Sequence, residues 1–203
     1  MIGPVSIIVP IYNEKDNLQP LHDAIVDALK GIEFELLLVN DGSTDGSTQA
    51  LDAMAETDKR IRVIHFVRNY GQTAALTAGF RNARFEQIVT LDGDMQNDPA
   101  DIPGLLSHLG EDCDVVCGWR KDRKDKWLTR KVPSKIANAL ISRLSNVRVH
   151  DYGCTLRAYK AEFVREVPLY GEMHRFLPIY VTWGGASLKE VPVRHHPSAS
   201  QHG

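Results

Sequence analysis

The 203 residues carry a formal net charge of −2, with 43% hydrophobic and 25% charged side chains, which excludes a disordered or fibrous chain and points to one soluble globular domain. No apolar run approaches the ~18 residues needed to span a bilayer, and Met1 leads so soon into a strand-like run that no signal peptide is expected. Cys113, Cys117 and Cys154 have neither metal-type spacing nor the even number of a disulfide framework, and read as reduced thiols of a cytosolic protein.

Val5–Ile11 is almost wholly apolar, the pattern of a parallel strand buried on both faces. Leu18, Leu21, Ile25 and Leu29 recur at helical spacing. Phe34–Val39 reads as a strand, Gln49–Ala55 as a helix, Ile61–Val67 as a strand, Thr73–Ala83 as a helix and Gln87–Leu91 as a strand. A short helix around Ile102–Leu109 and a strand at Asp114–Cys117 follow. This alternation predicts an α/β fold, a mostly parallel sheet flanked by helices.

Beyond Gly118 the pattern changes. Arg120 to Lys135 holds eight Lys or Arg and two Asp, and Arg120–Lys131 reads as a loop. Ile136, Ala137, Leu140, Ile141 and Leu144 make an amphipathic helix, Tyr159–Val164 looks helical, and Ser187–Val193 is a late strand. His195-His-Pro197 opens a tail, so the expected organisation is one domain over 1–197 with 198–203 trailing.

Ligands of parallel sheets bind beyond the carboxyl ends of strands, so the polar segments Pro10–Glu14, Asn40–Asp45, Arg68–Gln72 and Asp92–Gln96 should converge. The last is the most telling. On an extended chain Asp92, Asp94 and Gln96 project to one side, and three such oxygens suit Mg²⁺ or Mn²⁺ holding a diphosphate. An acidic Asp-Gly turn is the structural alternative.

Tyr12 could stack on a base and Glu14 accept from a base edge or ribose; an ordinary turn capped by Asn13 or Asp16 explains the same residues. Asp41 ends the second strand before a helix capped by Ser43, Thr44 or Asp45, and suits a base or ribose hydroxyl. Gly71 lets a ligand approach the backbone at a helix start that favours a negative group. The spacing is neither a Walker loop nor a dinucleotide fingerprint.

The basic run is by default a solvated loop. Nucleic-acid binding finds only Trp127 among its cations, and a phosphate-binding arm at a membrane surface is the third reading, with Arg120 and Arg130 offering bidentate forks. Asp151 is either a general base or the partner of Arg157 in a fixed turn. Adjacent His195 and His196 point to opposite sides and should not share a cation.

Pro10-Ile-Tyr-Asn-Glu14, Asn40-Asp-Gly-Ser43, Asn69-Tyr-Gly-Gln72, Asp92-Gly-Asp-Met-Gln96, Gly118-Trp-Arg120 and Asp151-Tyr-Gly-Cys-Thr-Leu-Arg157 occur here in series. In this the chain resembles the family-2 inverting glycosyltransferases of GT-A fold, in particular the dolichol-phosphate mannosyltransferase-like branch that includes bacterial polyprenyl-phosphate glycosyltransferases. The resemblance covers residues 4–197. It implies a nucleotide site at Pro10, Tyr12, Glu14 and Asp41, and a metal site with Asp94 as principal ligand beside Asp92 and Gln96. It places the acceptor phosphate at Arg120 and Arg130, and Asp151 near the acceptor.

The implied activity is transfer of a sugar from a UDP- or GDP-sugar to a polyprenyl phosphate, at the cytoplasmic membrane face, by a peripheral protein that contacts the membrane through Arg120–Lys135. A membrane partner or a homo-oligomer, and no nucleic acid, complete that expectation. A saccharide hydroxyl acceptor and a non-catalytic nucleotide-sugar-binding subunit are the alternatives. The chain departs from the branch at Pro197-Ser-Ala-Ser-Gln-His-Gly203, which lacks the usual basic residues and leaves only His202 to face phosphates, and it shows none of the membrane helices many relatives carry.

Overall fold

The computed structural model describes residues 2–121, 145, 147 and 149–197. Its strands form a seven-stranded sheet in the order β3-β2-β1-β4-β6-β5-β7. These are β1 (Val5–Ile11), β2 (Phe34–Asn40), β3 (Ile61–His65), β4 (Gln87–Thr90), β5 (Val115–Trp119), β6 (Arg157–Lys160) and β7 (Leu188–Pro192). β1 pairs in parallel with β2 and β4, β2 with β3, and β5 with β7, while β6 runs antiparallel between β4 and β5. The mostly parallel sheet expected from the alternating pattern is therefore present.

The helices are α1 (Leu18–Ala28), α2 (Ser47–Thr57), α3 (Gln72–Asn82), α4 (Ile102–Leu106) and α5 (Leu177–Trp183). Neighbouring strand residues face opposite sides, so β1 feeds two cores. Ile7, Val9 and Ile11 pack with Leu21 and Ile25 of α1; Ile8 packs with Ala75, Leu76 and Phe80 of α3. This two-sided burial explains the unbroken apolar runs. No helix of the described residues is long and apolar enough to cross a membrane.

The segment Tyr159–Val164 is not a helix. Arg157–Lys160 is strand β6, and only Ala161–Phe163 forms a 3-10 turn. Its periodicity misled because β6 is buried between two strands, where apolar residues need not alternate. The helix α2 is preceded by Gly46 rather than by the Ser43, Thr44 or Asp45 expected as its cap; Asp45 acts from outside it, accepting from Ser47 N at 2.9 Å and Ser47 Oγ at 2.6 Å. The basic run beyond Lys121, the helix expected at 136–144 and the tail 198–203 lie outside the described residues.

Candidate active site

The carboxyl ends of β1, β2 and β4 lie side by side in the order β2-β1-β4, and the polar segments that follow them are pinned together. Asn13, in the left-handed region at φ 57°, donates its backbone N–H to Ser43 Oγ at 3.0 Å, while its Oδ1 accepts from Thr44 N at 2.8 Å. A short polar side chain tolerates that conformation. Gly42 meets the third segment so closely that a Cβ there would lie 2.4 Å from the carbonyl carbon of Arg68.

Asp41 is buried, and its two oxygens accept from Tyr70 N at 2.7 Å and Gly71 N at 2.8 Å. The negative group expected at the start of α3 is thus the protein's own Asp41, and the Gly71 amide is committed to it. Tyr12, by contrast, is exposed, as a platform for a flat ring would be. The Asp41 amide donates to Ile11 O at 2.8 Å, which ties this segment to the end of β1 just before Tyr12.

Past β4, Gly93 packs where a Cβ would sit 2.8 Å from Ile11 Cδ1 and 3.6 Å from Glu14 Cγ, bringing the Asp92–Gln96 segment against the first. Asp92 Oδ1 accepts from Gln72 Nε2 at 2.6 Å and Oδ2 from Thr155 Oγ1 at 2.7 Å. Burial, together with the nearby Asp94 charge, pushes the Asp92 carboxyl up to about 6 despite those bonds. Burial likewise raises Glu14, with Asp94 and Asp45 adding to it. Asp94 accepts from Gln96 N at 3.0 Å through Oδ1 and has no ion-pair partner among the described residues.

Carboxylates crowded so that the Asp94 charge raises the proton affinity of Asp92 and Glu14 suit a hard divalent cation. Gln96 Oε1 meets His195 Nε2 at 3.2 Å, and His196 N donates to Gln96 O at 2.9 Å. His195 is buried, so residues 194–196 are not a loose tail: Arg194 pairs with Asp98 and Asp101, and His196 with Asp98. Adjacent His195 and His196 do diverge. No group of three or more His, Cys, Asp or Glu arranged to hold a metal occurs among the described residues.

A cavity of about 470 Å³ opens beside Asp92, lined also by Pro10, Gln72, Arg120, Asp151, Arg157 and His174. Arg120 Nε donates to Asp151 Oδ2 at 2.7 Å and Nη2 to Oδ1 at 2.9 Å. Oδ1 also accepts from Gly153 N at 3.1 Å. The turn-fixing pair is therefore Asp151 with Arg120, not with Arg157 as the sequence alternative had it. Arg157 instead binds the carbonyls of Tyr152, His174 and Arg175. Arg130 lies outside the described residues.

Gln72, Thr155, His174 and His195 were not singled out as site residues from sequence. Gln72 and Thr155 each stood inside a quoted motif, but their convergence on Asp92 joins positions 63 and 20 residues from it.

Residues 6–167 match glycosyl transferase family 2. The chain is 43% identical over 205 residues to the dodecaprenyl-phosphate galacturonate synthase of Rhizobium johnstonii, covering 98% of this chain and 60% of that protein. It is 40% identical over 197 residues to the undecaprenyl-phosphate 4-deoxy-4-formamido-L-arabinose transferase of Sodalis glossinidius, covering 96% and 60%. The chain thus spans about 60% of the length of these relatives. Among solved structures, it superposes on Mycobacterium tuberculosis glucosyl-3-phosphoglycerate synthase in complex with Mn²⁺, UDP and glucosyl-3-phosphoglycerate with TM-score 0.71 at 20% identity, over 98% of this chain and 73% of the other. A mannosyltransferase from Pyrobaculum calidifontis in complex with GDP-Man and Mn²⁺ gives 0.68 at 20% identity, over 98% and 58%. At that identity the likeness establishes the fold.

Proposed function

The chain belongs to glycosyl transferase family 2, and on that premise we propose that it moves a sugar from a UDP- or GDP-sugar to a polyprenyl phosphate, inverting the anomeric centre. The observation that carries this reading is one cavity with the Asp92 carboxylate on one wall and the Arg120–Asp151 pair on another. The two relatives, named for polyprenyl phosphates, support the acceptor class.

Tyr12, exposed at the end of β1, and Glu14 would take the nucleoside. Asp92, Asp94 and Gln96 would hold a Mg²⁺ or Mn²⁺ ion, which when bound supplies Lewis-acid compensation of the diphosphate charge. In the reaction the bond from the anomeric carbon to the donor's diphosphate oxygen breaks, and a bond to an oxygen of the lipid phosphate forms. That phosphate is anionic at neutral pH and needs no base, so orientation and charge compensation govern the rate. Asp151 fits this economy: its carboxylate fixes Arg120 instead of standing open to take a proton. A saccharide hydroxyl acceptor, which needs a base, is correspondingly disfavoured.

On this reading Arg120 would meet the acceptor phosphate, and Arg130 of the basic run is the second arginine that the resemblance assigns to it. The excess of Lys and Arg in Arg120–Lys135 supports peripheral contact with the anionic cytoplasmic face, each cation worth about 1 kcal/mol near such a surface. The test is donor turnover with Mn²⁺ or Mg²⁺, offering UDP- and GDP-sugars with and without a polyprenyl phosphate. Release of nucleoside diphosphate that requires metal and lipid, and falls at least ~100-fold in Asp94→Ala, is the expected result. Lipid-independent release, or release untouched by Asp94→Ala, would sink the reading.

A further inference from the structure

The turn that follows β2 is tied to a histidine on the edge strand β3. Asn40, 2% exposed, ends β2. Its Oδ1 accepts from Ser43 N at 3.0 Å, and Ser43 Oγ accepts in turn from Asn13 N, between Tyr12 and Glu14. A backbone N–H can only donate, so the Asn40 atom facing Ser43 is its oxygen, and its amide nitrogen points the other way. That nitrogen lies 2.9 Å from both Thr48 Oγ1 and His65 Nδ1.

The proton positions follow. Asn40 Nδ2 is a donor, so His65 Nδ1 accepts, and the ring proton sits on Nε2, which donates to Asp52 Oδ1 at 3.0 Å. The imidazole therefore fits this chain of bonds only when neutral. A second proton, on Nδ1, would set one N–H against another and push the Asn40 amide off the bond that holds Ser43. β3 packs chiefly against β2 and α2; β2 presents the uncharged Asn40 to the ring, and α2 presents the Asp52 carboxylate. The side chains of His65 and Asp52 are 33% and 61% exposed, so protons reach the ring from solvent. A mere tie between α2 and β3 would use the Asp52 bond alone. It would not aim Nδ1 at a buried amide whose oxygen fixes the Ser43 turn.

We propose that His65 is a positioning residue for donor binding: neutral, it holds Asn40 so that the Ser43 and Asn13 turns present Tyr12 and Glu14 to the nucleoside, and protonated, it releases them. The proposal rests on the nucleoside reading given above.

Equilibrium binding of UDP and of GDP with Mn²⁺ tests it, at about pH 7.5 and about pH 5.5, across the window in which histidine changes charge. Two variants separate the two ring nitrogens. His65→Asn carries its oxygen where Nδ1 stands and keeps an acceptor that no proton removes. His65→Gln reaches the Nε2 position and keeps the Asp52 bond alone. At the higher pH, His65→Gln should bind the accepted nucleotide about threefold to tenfold more weakly than the unchanged chain, the scale of one hydrogen bond, and His65→Asn within about twofold. On acidification the unchanged chain should lose about threefold to tenfold more affinity than His65→Asn. Asp92, Glu14 and the terminal phosphate titrate alike in both proteins and cancel in that comparison.

Equal acid losses in the unchanged chain and His65→Asn overturn the proposal, and so does undiminished binding to His65→Gln; either leaves His65 a tie between α2 and β3. Where His65→Gln melts early, the acid comparison alone decides. Binding of neither nucleotide to the unchanged chain defeats the nucleoside reading, and this one with it; tight binding with equal acid losses defeats only this one.

Discussion

Asp151 and Arg120 have side chains 8% and 9% exposed, so their pairing is a matter of stability. Removing one member of a nearly buried pair strands the other charge away from water, at about 3–5 kcal/mol. Replacing both with neutral groups avoids that penalty. Arg120→Ala should therefore lower the urea midpoint sharply. The double change Arg120→Gln with Asp151→Asn should recover most of it while activity stays low. If Asp151 were instead a base, Asp151→Asn alone would abolish turnover with the fold intact, and the pH–rate profile would lose its lower limb. Gly153 belongs to the same arrangement: a Cβ there would stand 3.0 Å from Arg120 Nη2, so Gly153→Ala should disturb the pair without touching either charge.

At the scale of elements, the close approach of α3 to β1 rests on Gly79, where a Cβ would lie 2.3 Å from Ile8 Cγ2. Alanine gains ~1 kcal/mol of helix propensity over glycine, whereas overpacking a filled core costs about 1–3 kcal/mol. The second effect wins because Ile8 is fully buried and its Cγ2 sits on a branched carbon with no room to retreat. Gly79→Ala should be net destabilising in thermal melts, and a paired Ile8→Val change should not relieve it, since valine keeps that methyl.

β1, β2 and β4 were legible because burial on both faces makes their sequences continuously apolar. So were the segments at their ends, since polar residues that follow such runs have one edge to occupy. β6 was not: four residues inserted antiparallel between β4 and β5 are too short to show the strand alternation that would separate them from a helix. The Asp151–Arg120 pair was missed for a related reason. Arg157 is nearer in sequence, but pairing across 31 residues is decided by how β5 and the Asp151 turn meet. His195 reaches Gln96 across 99 residues, and no local pattern announces that contact.

Over the whole molecule, the carboxylates with raised pKa, Asp92 and Glu14, both lie at the carboxyl edge of the sheet. At the amino ends of the parallel strands lie carboxylates that the fold stabilises as anions. Burial would raise Glu35, but Ser6, Arg62 and the Arg84 amide hold its pKa below the usual value. Arg60, with help from His22, holds Asp58 low, and Lys160 holds Asp114 low. At the opposite edge, Asp92 and Glu14 are raised. Asp45 and Asp98, on that same edge, are held low by their own hydrogen bonds, so the raised pair Asp92 and Glu14 stands apart from its neighbours, as expected where function is built.

The sign follows from proton linkage. A carboxylate with a depressed folded pKa contributes stability that is complete above its unfolded value, and that is lost as pH falls from there through the folded value. Glu35, with a side chain 4% exposed, should show this most clearly. Glu35→Gln should lower unfolding free energy by ~1–3 kcal/mol at pH 7, the scale of hydrogen bonds to a charged group. The gap from the unchanged chain should narrow as pH falls below the unfolded glutamate value and close only below the depressed folded one, where Glu35 is protonated in both states. Denaturant titrations at pH 7, 5 and 3 measure it, and a gap constant across all three would show that Glu35 acts by shape and not by charge. Donor turnover should stay near that of the unchanged chain, because Glu35 stands on the second residue of β2, at the far end of the strand from Asp41.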